Sequence, residues 1–94
     1  MTREIIVNVL EREGATTKAG AFTIPADKDA TCFVSTPGDL LAIARVIRAE
    51  LFDHHLVLST AKEERFAFAY GDILGFKLAA PSNQNKDRSA GFSR

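Results

Sequence analysis

The residues most able to do chemistry stand together at Asp53-His54-His55, a grouping that could supply a general base or the start of a metal site. Neighbouring side chains on an extended segment point to opposite sides, so the two histidines share one ion only if the chain turns between them. Cys32 is the single thiol, and no Cys-x-x-Cys or His-x-x-x-His spacing accompanies it. Ser35 or Ser59 can be paired on paper with His54 or His55, but no Gly-x-Ser-x-Gly elbow holds either serine. The glycines are scattered and form no phosphate-cradling run. Glu63-Glu64 reads as a solvated pair in a loop, and Cys32 as a buried, inert thiol. These patterns predict no enzyme, no cofactor and no metal. A small hydrolase or metal enzyme around His54 and His55 is the third-ranked reading.

Composition sets the frame around those residues. Ninety-four residues suit one domain, and 46% apolar with 26% charged side chains suits a folded chain. Twelve basic and twelve acidic residues cancel, which argues against a dedicated nucleic-acid binder. One cysteine excludes an intrachain disulfide and fits a reducing compartment. With no basic segment leading an apolar run, and no apolar run long enough to cross a bilayer, the sequence predicts a cytoplasmic protein.

The element expected to organise the chain is a helix over residues 36–52 (TPGDLLAIARVIRAELF). Thr36 suits the N-cap, Pro37 the first helical position, and Asp39 the positive end of the helix dipole. Leu40, Ile43, Ala44, Ile47 and Leu51 fall on one helical stripe, with Val46 on its flank. A second stripe holds Leu41, Arg45, Arg48 and Phe52. It reads either as solvated arginines between core-seeking helix ends or as an apolar-rimmed cationic patch for an acidic protein partner.

Strands are expected on both sides of this helix. Residues 4–10 (EIIVNVL) are apolar on both faces and read as a central strand. Residues 11–17 suit a hairpin loop, and 18–24 a weaker strand with a bulge or close approach at Gly20. A loop at 25–29 and a strand at 30–34 precede the helix. After it come strands at 55–59, 65–70 and 73–80, joined by a charged loop at 61–64 and a tight Gly71-Asp72 turn. Phe66, Phe68 and Tyr70 share one face of the aromatic strand, and Leu74, Phe76 and Leu78 share one face of the last. From Pro81 the chain turns polar, which predicts a flexible tail over 81–94.

Arg65-Phe66-Ala67-Phe68 resembles part of the ribonucleoprotein motif of RNA-recognition domains, and residues 5–10 loosely resemble that family's second motif. The resemblance implies base stacking on exposed sheet aromatics. It makes Arg65, Phe66, Phe68 and Tyr70 the alternative, single-stranded nucleic-acid site. On the simpler reading these aromatics are core. The strand pattern with its closing Tyr-Gly-Asp-Ile is also similar to the sheets of small bacterial pleckstrin-like and Sm-like domains, modules that serve as binding platforms.

The expected architecture is therefore α+β over residues 1–80. Three strands come first, then one amphipathic helix, then a three-stranded antiparallel meander, the sheet bent or partly closed as a barrel. The expected function is a protein-interaction or adaptor module. It would bind its partner through Leu41, Arg45, Arg48 and Phe52, through an open sheet edge at residues 18–24, or both. Edge pairing would accept a partner's strand or form a homodimer.

Overall fold

The first element is a helix where the sequence predicts a strand. In the computed structural model, which describes residues 1–80, α1 spans Arg3–Arg12. Thr2 caps it: its hydroxyl accepts from the Ile5 amide at 3.2 Å. Gly14, at φ 89°, lets the chain leave in a Schellman motif, with Gly14 N–H donating to the Glu11 carbonyl and Ala15 N–H to that of Leu10. Ile6 and Leu10 lie one turn apart and are both fully buried. Two caps and one i, i+4 pair outweigh the strand preference of Ile5, Ile6, Val7 and Val9.

The second correction is larger. Residues 36–52, the expected helix, form two strands and the turn before them. The described chain continues from α1 as β1 (Thr16–Lys18), β2 (Ala21–Thr23), β3 (Asp29–Thr36), β4 (Asp39–Ile43), β5 (Val46–Leu51), β6 (His55–Thr60), β7 (Arg65–Ala69), a 3-10 turn η1 (Tyr70–Asp72) and β8 (Ile73–Ala79). Thr36 pairs with Asp39 across Pro37-Gly38, and Gly38 sits at φ 81°. Proline followed by a left-handed glycine is the demand of a type II turn. The Thr36 hydroxyl donates to the Asp39 carbonyl at 3.3 Å, inside a hairpin. The residues that suit a helix start suit this turn equally, and the turn prevails.

The strands form two antiparallel sheets, one in the order β1-β2-β5-β6-β7 and one in the order β4-β3-β8. The polypeptide crosses between them at three places. β2 leads through residues 24–28 to β3, β4 bends into β5 at Ala44-Arg45, and η1 hands β7 on to β8. Arg45 carries the second bend at φ 57°, a left-handed conformation unusual for a side-chain-bearing residue. The mixed helix and antiparallel sheet is α+β, as expected. The sheets do not close on one another, so the barrel is not formed. The three-stranded meander is not formed either: β6 and β7 pair, but β8 pairs with β3 in the other sheet. The Gly71-Asp72 hairpin is instead the 3-10 crossover.

One core gathers both inner faces and the helix: Ile6, Leu10, Phe22, Cys32, Val34, Ile43, Val46, Ala49, Leu51, Leu56, Leu58 and Ile73 are all buried in it. In the expected helix, burial follows residues 43, 46, 49 and 51 rather than the helical stripe. Leu40 and Ile47 stand about half exposed, at 55% and 48%, and Ala44 is exposed too. The bend at Ala44-Arg45 and the register shift between Val46 and Arg48 interrupt the strand alternation. Each turns a step of two into a step of three, which imitates helical periodicity. A similar irregularity between Phe33 and Val34 turns Leu74 outward, leaving Ile73, Phe76 and Leu78 on the core side of β8.

The expected weak strand at 18–24 is a hairpin. Ala19 and Gly20, both at positive φ, turn β1 back as β2, so the outer strand of the five-stranded sheet is β1, while β2 is flanked by β1 and β5. The predicted tail at 81–94 lies outside the described residues.

Candidate functional site

Among the described residues β4 ends its sheet on one side and pairs only with β3. Residues 39–42 are all exposed, an unusual condition for a strand reading Asp-Leu-Leu-Ala. Leu41 lies opposite buried Val34 and Ile43 opposite buried Cys32, so both face inward. Ile43 is covered; Leu41 remains 40% exposed because β4 stands away from the end of the β6–β7 hairpin.

The gap is a cleft of about 550 Å³. Leu41, Ile43 and Phe66 supply its apolar walls and Thr60 its floor, with Arg45, Lys62 and Glu64 around it. Its closed end is tied down by the Ala61 N–H, which donates to the Arg45 carbonyl at 2.9 Å. The Thr60 hydroxyl accepts from the Glu64 amide, which shapes the β6–β7 turn. Neither Arg45 nor Lys62 makes an ion pair among the described residues.

The free margin of β4 has open backbone groups. Alternate residues of an antiparallel strand turn their N–H and C=O toward the same neighbour. Leu40 N–H is held by its neighbour's carboxylate, Asp39 Oδ1, at 2.7 Å, on the margin away from β3. Ala42 follows Leu40 by two and faces the same way. The site therefore combines strand-pairing groups at Ala42, an apolar trough and, at one end, two cations without an ion pair among the described residues.

The predicted partner-binding stripe of Leu41, Arg45, Arg48 and Phe52 is not one face. Leu41 and Arg45 line the cleft. Arg48 lies on the outer side of the five-stranded sheet, 3.5 Å from Glu50, which also holds Arg65 at 2.9 Å. Phe52 lies at the far end of β5, roughly 23 Å along an extended chain from Arg45. Its ring stacks on His55 at 4.8 Å, and its carbonyl accepts from the Tyr70 hydroxyl. A helix would have gathered the four; a strand with one bend disperses them.

The alternative nucleic-acid set is divided as well. Phe66 and Phe68 pair with buried Leu58 and Leu56, stack on each other at 6.2 Å and pack against the core. Arg65 points to the opposite face. The other half of the ribonucleoprotein-like pattern, residues 5–10, lies in α1 and presents no strand at all.

His54 and His55 lie exposed at the β5–β6 turn, and His55 is occupied by the Phe52 ring. Among the described residues no three His, Cys, Asp or Glu side chains are grouped to hold a metal ion. Burial pushes the Cys32 thiol up to about 12, only partly offset by the N-terminal ammonium, and keeps it protonated and unreactive at neutral pH. Burial also raises the Tyr70 phenol, against the opposing effects of nearby Arg3 and the hydrogen bond to Phe52. Among the described residues no helix is long and apolar enough to cross a membrane.

Lys62, Glu64 and Thr60 were not foreseen as site residues. Their signal in the sequence is slight: a charged loop after an apolar strand, which becomes a cleft rim only because β4 bends over it. The chain matches no family model, no curated protein and no solved structure.

Proposed function

We propose that the protein is an interaction module that takes an extended segment of another protein as an added strand along the free margin of β4. One observation carries this reading: β4 is exposed over residues 39–42 and bears Leu41, a core-facing side chain that remains 40% exposed. Strand addition supplies what is missing there. Backbone pairing satisfies Ala42, and the added strand's inward side chains cover Leu41. On this reading the partner contact is a sheet edge, one of the two surfaces expected from the sequence, and it includes Leu41 and Arg45 of the expected set. A protonated, unpaired Cys32 suits work in the reducing cytoplasm.

Proline scanning tests the edge. Ala42→Pro removes an amide that the β3 ladder does not use, so the domain should fold while partner binding is lost. Leu41→Pro removes an amide on the β3 side and should unfold the domain. A partner cross-linked through a photoreactive residue at position 40 and identified by mass spectrometry should bind wild type and not Ala42→Pro. Equal binding by both would refute strand addition at β4. A wild-type dimer by sedimentation that becomes monomeric in Ala42→Pro would show that the added strand is a second copy's β4.

A further inference from the structure

We infer that the segment received on β4 carries alternating apolar residues followed by an aspartate or glutamate at the end that lies beside Arg45. This rests on the strand-addition reading and specifies its partner. The trough walls at Leu41, Ile43 and Phe66 are apolar, and side chains two apart on an added strand would fall over them. At one end the lining changes to Arg45 and Lys62, with Glu64 the single carboxylate among the lining residues; Glu63, in the same turn, does not line the cleft.

Two features make the cationic end a recognition element. Neither cation has an ion-pair partner among the described residues, although Glu64 shares the rim with them. Arg45 also occupies a left-handed position, φ 57°, where glycine would sit without strain. An arginine there puts a permanent charge at the bend between the two sheets, where it lines this cleft as well as a smaller one beside Lys28 and Asp29, close to where a strand laid along β4 would reach its end. A carboxylate arriving there gains charge-assisted hydrogen bonds in a site partly shielded by Leu41 and Phe66. A basic residue in its place meets two like charges.

A random linear peptide library displayed on phage, selected against the full chain, tests the inference without presupposing a partner. Selected peptides should alternate apolar and polar residues and share an acidic residue at a constant offset. By fluorescence anisotropy, changing that acid to its amide should weaken binding about tenfold. In Arg45→Gly, which keeps the backbone turn, combined with Lys62→Gln, acid and amide peptides should bind alike.

Alternating peptides with no acidic preference, or a preference unchanged in the double variant, would overturn the charge assignment and leave strand addition standing. Peptides that bind Ala42→Pro as well as wild type, or no enrichment at all, would overturn both.

Discussion

Raising the pH above 9 should destabilise this protein chiefly through the sulfur of Cys32. The side chain is fully buried on β3, between Ile43 of β4 and Phe76 of β8. Its thiol is pushed from the ordinary 9.0 to about 12, chiefly because burial penalises a thiolate. Below pH 9 the thiol is protonated in both the folded and unfolded chain, and its contribution is fully present. Between 9 and about 12 the unfolded chain releases the proton while the folded chain retains it, so the unfolded state gains and stability falls. About three pH units at about 1.4 kcal/mol each amount to roughly 4 kcal/mol, with no further loss above pH 12. That is a large share of the ~5–15 kcal/mol typical of a domain. Other groups also titrate in this range, so the measurement is a difference. Urea unfolding of wild type and Cys32→Ala is compared at intervals from pH 8 to about 11. Cys32→Ala should be less stable at pH 8 by a cavity cost of about 1–2 kcal/mol. The wild-type advantage should then shrink by about 1.4 kcal/mol per pH unit above 9 and reverse in sign before pH 11. A difference that stays level from pH 8 to 11 would refute the burial argument, as would native-state labelling of Cys32 by a thiol reagent at the rate of an exposed cysteine.

Five further substitutions probe the places where strand and helix exchanged roles. Ile6→Ala and Leu10→Ala should each cost about 2–5 kcal/mol in urea unfolding, and Ile5→Ala less than about 0.5, since Ile6 and Leu10 are buried and Ile5 is about half exposed. A strand would instead make Ile5, Val7 and Val9 equivalent. Gly38→Ala meets no atom within 4 Å of the added methyl, so its loss of about 1–2 kcal/mol comes from φ 81° alone; a neutral result would remove the type II turn. Arg45→Gly should stabilise the fold by up to about 1 kcal/mol in the same assay through relief of its left-handed backbone. Destabilisation there would mean that the arginine side chain supports the bend rather than serving the cleft.

Much of the strand content was legible residue by residue. β3, β6, β7 and β8 fall close to their expected positions, because Val, Phe and Leu alternate there between loops of Pro, Asp, Lys and Gly. The inward placement of Phe66 and Phe68 follows from the same alternation. The caps of α1 were legible in principle at Thr2 and Gly14, but the β-branched run between them carries the opposite local preference. At residues 39–51 no local signal separates the alternatives. Pro37-Gly38 fits a helix start or a hairpin, and a bent strand with a register shift has the spacing of a helix.

The sequence by itself determined the α+β class, the buried state of Cys32 and the positions of β3, β6, β7 and β8, since these depend on a few neighbouring side chains. Only the tertiary structure decided that residues 36–52 are a hairpin turn and two strands, that β8 joins β3, and that Leu41 and Arg45 meet Lys62, Glu64 and Phe66 across a cleft. Those outcomes depend on which distant segments offer apolar cover and hydrogen-bond partners. β3, β2 and β6 offer both to residues 39–51, whereas an isolated helix there would pair its own backbone but leave its apolar side chains without cover.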